Sequence, residues 1–147
     1  MPARERQRLL IVDDDSDVLR AAEQVARTIP GVDTVAVSTV EEAVSLLRKE
    51  KFAAIVSDVD FGGVASGFDL AAFAMLGDPD HPVPIALVSG HVDATREGHA
   101  LALGTPIYEK PVNVREVVER LLGAADAWFA AEEEREKAEG KSGGKPE

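Results

Sequence analysis

The chain has 147 residues, of which 45% are apolar and 29% charged, and its formal net charge is −11. That length suits one domain with a normal core, and the acidic excess argues against a nucleic-acid surface, which needs clustered Lys and Arg. No cysteine is present, so disulfides, thiolate metal sites and cysteine nucleophiles are excluded.

Arg4, Arg6 and Arg8 are the only basic cluster, and residues 1–7 are expected to form a flexible basic arm. Leu9 to Val12 is a buried-strand run. Ser16 to Ile29 has helical spacing at Val18, Leu19, Ala22, Val25, Ala26 and Ile29, and Pro30-Gly31 ends it. Val32 to Val37 has the alternation and β-branching of a more exposed strand. Thr39-Val40-Glu41-Glu42 reads as a capping box opening a second helix through Ala43, Leu46 and Leu47. Phe52 to Ser57 is a third strand, and a glycine-rich loop, Phe61 to Gly67, leads into a helix from Phe68 to Leu76.

Gly77 to Pro84 is a loop with three prolines. Ile85 to Val88 is a fourth strand, Val92 to Leu103 a helix rich in small residues, and Thr105 to Glu109 a short fifth strand. Asn113 with Glu116 caps a last helix along Val114, Val117, Val118, Leu121, Leu122, Ala125, Trp128 and Phe129. The domain is expected over residues 8–130, and the charged tail over residues 131–147 is expected to be disordered. Five βα units in a row imply an α/β fold, a doubly wound parallel sheet with helices on both faces. The longest apolar run, Leu70 to Leu76, is too short to span a bilayer. With no apolar stretch of signal-peptide type before the first strand, a cytoplasmic protein without membrane or nucleic-acid partners is expected.

Four short signatures follow strands: Asp13-Asp14-Asp15, Asp58, Ser89 and Lys110-Pro111. In an open parallel sheet the carboxyl ends of neighbouring strands converge on one crevice, so these residues are expected to meet. The acidic triplet has two readings. Asp15 or Ser16 can cap the following helix, but one residue suffices for that, and two more carboxylates at the same strand end call for a cation. Magnesium takes oxygen ligands and keeps several waters, with Asp14 suited to direct ligation and Asp13 to a water-mediated contact. Asp58 is either a solvated aspartate at the start of a loop or, beside a metal ion, a carboxylate that attacks phosphorus to form an acyl phosphate. Ser89 and Lys110, unremarkable singly, can donate to and pair with a phosphoryl oxygen. Lys110 also offsets the charges of Asp13, Asp14 and Asp58. Pro111 permits a cis peptide after Lys110, which would aim the lysine inward.

The segments "LLIVDDDSDVL", "AAIVSDVDFGG", "IALVSGH" and "IYEKPV" together resemble the receiver domain of two-component response regulators (CheY-like), over roughly residues 8 to 125. The resemblance implies a flavodoxin-like fold with five strands ordered 2-1-3-4-5 and five helices. It implies that Asp58 accepts a phosphoryl group from a histidine kinase or histidine phosphotransfer protein, using Mg2+. Asp14, Asp58 and the backbone carbonyl of Asp60 match the family's metal ligands, Ser89 its switch hydroxyl and Lys110 its lysine. With no second domain fitting after residue 130, a single-domain signalling module is expected, a monomer or homodimer that switches contacts with a downstream protein. It would not be an enzyme beyond self-catalysed phosphorylation and dephosphorylation. Two alternatives stand beside it: a degenerate receiver that binds constitutively, and a phosphatase of haloacid-dehalogenase type using Asp58 and Asp60.

Four departures from the family pattern mark this chain. Receivers usually have a Met-Pro or similar pair after the phosphorylated aspartate, whereas Phe61 to Gly67 lacks that proline and reads one residue longer. Asp60 and His91, two residues beyond Asp58 and Ser89, are in the family's positions that tune phosphate lifetime. The reporter aromatic three residues before the lysine is replaced by Ile107, with Tyr108 one place later and so on the opposite strand face. Trp128 and Phe129 lengthen the last helix, and either cover the core edge or offer a patch for dimerisation or docking.

Overall fold

The computed structural model describes residues 6–123; Trp128, Phe129 and the tail over residues 131–147 lie outside them. The elements alternate as β1 (Gln7–Val12), α1 (Ser16–Ala26), β2 (Val32–Val37), α2 (Val40–Lys49), β3 (Ala54–Asp58), α3 (Gly67–Leu76), β4 (Ile85–Ser89), α4 (Ala94–Leu103) and β5 (Ile107–Glu109). A fifth helix, α5, follows over 114–123. The strands form one parallel sheet in the order β2-β1-β3-β4-β5. This is a flavodoxin-like, doubly wound fold, in which right-handed crossovers carry the helices to both faces.

The three central strands are continuous apolar runs because helices cover both of their faces. Alternation along each strand divides their side chains between two cores. Leu10, Val12, Ile55, Ile85 and Leu87 pack towards α2, α3 and α4 with Phe68, Leu70 and Ala100. Leu9, Ile11, Ala54, Val56, Ala86 and Val88 pack towards α1 and α5 with Ala26, Val118 and Leu121. The Phe68 and His99 rings stack at 4.0 Å and join α3 to α4.

Element ends differ from the sequence expectation where backbone partners decide them. β1 starts at Gln7, whose N–H donates to the Gly31 carbonyl. Arg6 precedes the strand, and its side chain is tied to Asp33 of β2 at 2.8 Å. α1 stops at Ala26, because Thr28 and Ile29 turn back in three-residue steps onto Val25 and Ala26 before Gly31 at φ +78°. Ile29 nevertheless stays buried. At α2 the Thr39 side chain accepts from the Glu42 N–H as expected. The Glu42 carboxylate, however, accepts from the Thr39 hydroxyl. The reciprocal capping box forms at α3, between Ser66 and Asp69. No helix among the described residues is long and apolar enough to cross a membrane.

Candidate functional site

The register brings the carboxyl ends of β1, β3, β4 and β5 to one side of the molecule. Val12 pairs with Ser57, Asp58 with Val88, and Ser89 with Glu109, so Asp13, Asp58, Ser89 and Lys110 end adjacent strands. Backbone bonds extend the ladder through these positions: Asp13 N–H to Val37, Val59 N–H to Val88, and Lys110 N–H to Ser89.

The acidic triplet divides its work by position. Asp15 caps α1, accepting from the N–H groups of Asp17 and Val18 at 3.0 and 3.3 Å, and Ser16 is already helical. Asp13 is buried and accepts from the Asp15 N–H at 2.9 Å; Asp14 is exposed. One carboxylate oxygen from each of Asp13, Asp14 and Asp58 lies within 4.8 Å of the others. Three hard oxygen donors with so few compensating charges suit Mg2+ or a similar cation.

Only 7% of Asp58 is exposed to solvent. Burial pushes its carboxyl above the ordinary value, the Asp13 charge pushes the same way, and the Lys110 charge and hydrogen bond pull back. The Lys110 ammonium stands 3.3 Å from Asp58 Oδ1 and 3.5 Å from Asp13 Oδ2. Burial alone would lower its pKa, but the charges of Asp58 and Asp13 and its bonds to both outweigh that, so the net direction is upward. The Lys110–Pro111 peptide is cis.

Asp13, Asp58 and Lys110 also border an open cavity of about 560 Å³ between α1 and the segment leading into α5. Val18, Ala21 and Val25 line its apolar side.

Ser89 is fully buried. Its hydroxyl donates to the His91 carbonyl at 2.7 Å and accepts from the His91 N–H at 3.1 Å. His91 thus meets Ser89 through its backbone, while its exposed imidazole lies 3.3 Å from Asp93. Ile107 packs into the core under α2, α3 and α4, and Tyr108 into the core under α1 and α5. The two side chains therefore take opposite faces of β5.

The loop after β3 is closed at its ends. The Gly67 N–H donates to the Val59 carbonyl at 2.9 Å. A Cβ on Gly67 would collide with the Asp58 carbonyl oxygen and lie 2.9 Å from Val59 Cα, so only glycine lets α3 start against the end of β3. Gly62 and Gly63 meet no such constraint, having open space where a Cβ would lie.

One residue at this rim was not expected from the sequence. Arg96, in the first turn of α4, makes a two-pronged ion pair with Asp60 at 2.7 and 2.9 Å, and donates to the Ser89 hydroxyl at 2.7 Å. The Arg96 hydrogen bond holds the Asp60 carboxyl below the ordinary carboxylate value, and the bond to Asp60 raises the guanidinium in turn. The available signal was an arginine in a first helical turn, where the dipole disfavours a cation.

The sequence matches the response regulator receiver domain over residues 9–122. No curated protein matches the chain. Among solved structures, the CheY-like receiver domain protein of Methanospirillum hungatei JF-1 is 25% identical. Its TM-score is 0.73, over 85% of this chain and 98% of that one. A response regulator receiver protein from Pseudomonas putida is also 25% identical, with TM-score 0.70 over 83% and 99%. The signal receiver domain of an HD domain-containing protein from Pseudomonas fluorescens Pf-5 has TM-score 0.77 over 88% and 96%; at 18% identity it speaks to the fold alone. With its sheet order and the convergence of its acidic strand ends, the chain belongs to the response regulator receiver domain family.

Proposed function

We propose that this receiver accepts a phosphoryl group on Asp58 from a histidine kinase or histidine phosphotransfer protein, with Mg2+, and thereby switches its contacts with another protein. The observation that carries this is the convergence of the Asp13, Asp14 and Asp58 carboxylates within 4.8 Å, with the Lys110 ammonium 3.3 Å from Asp58.

Asp14, Asp58 and the Asp60 carbonyl would hold the metal directly, and Asp13 through water. A bound Mg2+ would supply positive charge that offsets these carboxylates and the incoming phosphoryl group. The Asp58 carboxylate forms an O–P bond while the donor's P–N bond breaks, its electron pair leaving on the imidazole nitrogen. Lys110 pairs with the charge that accumulates on the phosphoryl oxygens. The apolar strip of Val18, Ala21 and Val25 beside Asp58 supports approach of a protein donor. To donate to the phosphoryl group, the Ser89 hydroxyl gives up its bond to the His91 carbonyl. That exchange links chemistry at Asp58 to the start of α4. Asp60, ion-paired and held ionised, is poorly suited to be the general acid that a phosphatase of haloacid-dehalogenase type requires.

Incubation with Mg2+ and acetyl phosphate is expected to add the mass of one phosphoryl group, and Asp58→Asn is expected to abolish the addition. Equal labelling of the two proteins would remove Asp58 as the acceptor.

A further inference from the structure

The proposed transfer leaves one cluster unexplained, that of Arg96, Asp60 and Ser89. Arg96 spans three elements: it stands on α4, closes a fork on Asp60 in the loop after β3, and bonds the hydroxyl that ends β4. Asp93 already caps α4 by accepting from the Arg96 N–H at 2.9 Å. The helix start is therefore satisfied without the guanidinium. A cation in a first helical turn opposes the dipole, so the arrangement needs another reason. Asp60 lies two residues beyond Asp58 and close enough to feel the Lys110 charge. An unpaired carboxylate there would add a negative charge to a rim already carrying Asp13, Asp14 and Asp58.

We propose that Arg96 is a positioning residue of the phosphoryl-transfer site. It holds the Asp60 carboxylate to itself and cancels its charge where an anionic phosphodonor approaches Asp58. The inference rests on the receiver function proposed above. Arg96 acts here through Asp60, without touching the donor. Its removal frees Asp60 to repel the phosphoryl oxygens, so the loss falls on donor encounter and not on the bond-making step.

A double-mutant cycle tests this. Asp58 phosphorylation is followed against acetyl phosphate concentration, with Mg2+, in the unsubstituted protein, Arg96→Gln, Asp60→Asn and the double variant. Arg96→Gln is expected to weaken the dependence on donor concentration by about fivefold. The saturating rate should hold, and the defect should shrink as salt is raised. In the Asp60→Asn background the same change is expected to have no effect. Arg96→Lys keeps the charge while losing the fork, and is expected to cost less than Arg96→Gln but more than nothing. An equal loss from Arg96→Gln in both backgrounds would overturn the proposal, since Arg96 would then act on the phosphoryl group directly. So would no loss in either background, which would leave Arg96 as an anchor of α4. Failure of the unsubstituted protein to label at Asp58 would overturn the receiver function and this inference together. Labelling with an additive cycle would overturn the role of Arg96 alone.

Discussion

At the scale of single residues, the site is a balance of burial against charge. Asp58 is held above the ordinary carboxyl value of 3.8, first by burial and then by the Asp13 charge, with Lys110 opposing both. A carboxyl raised in the folded state binds its proton more tightly there than in the unfolded chain. Its stabilising contribution is therefore complete below pH 3.8 and is lost as pH rises through the higher folded value. With divalent cations chelated, the urea midpoint is expected to carry this downward component between those two values. Asp58→Asn should flatten it and raise the midpoint at neutral pH. A lower neutral midpoint for Asp58→Asn would show that Lys110 outweighs burial. The placement of Asp13, Asp14, Asp58 and Lys110 was legible in the sequence because each ends a strand or follows one within two residues. Arg96 was not: it stands on a helix otherwise rich in small residues, and its partner Asp60 lies 36 positions away in a loop. The position of His91 could be read, but not the direction of its imidazole, which depends on Asp93 two residues on.

At the scale of elements, each strand and helix was legible as a type, because buried strands are apolar runs and the helices carry their own caps. The ends were less so, since the bonds that set them join distant segments: Gln7 to Gly31 extends β1, and Val59 to Gly67 starts α3. Gly67 is where an element boundary and the site share one contact. Gly67→Ala is expected to cost about 1–3 kcal/mol, because the new methyl meets backbone that cannot rotate away. Urea unfolding would measure it. Alanine at Gly62 or Gly63, where a Cβ has open space, is expected to shift the midpoint far less. If Gly67→Ala proved as mild, the end of β3 would have more room than the geometry allows.

For the whole molecule, the parallel sheet gathers carboxylates of an acidic chain at the carboxyl ends of its central strands, where a bound cation would relieve them. Mg2+ bound to the folded form alone is expected to stabilise it by about 2.7 kcal/mol at a hundredfold excess over its dissociation constant. A thermal melt would show this as a rise in Tm, and Asp14→Ala is expected to remove most of the rise while leaving the metal-free Tm nearly unchanged. An equal rise in both proteins would point to general screening of the −11 charge. The clasp between Val59 and Gly67 has a consequence for descent. The stretch it brackets is a cassette with fixed terminals. Inserting or deleting a residue there changes what the rim displays to its surroundings while the scaffold beneath keeps its place. Lineages can thus diversify the exposed residues 62–64 independently of the sheet, while Asp60 stays tied to Arg96, Phe61 and Ala65 to the core, and Ser66 to the start of α3.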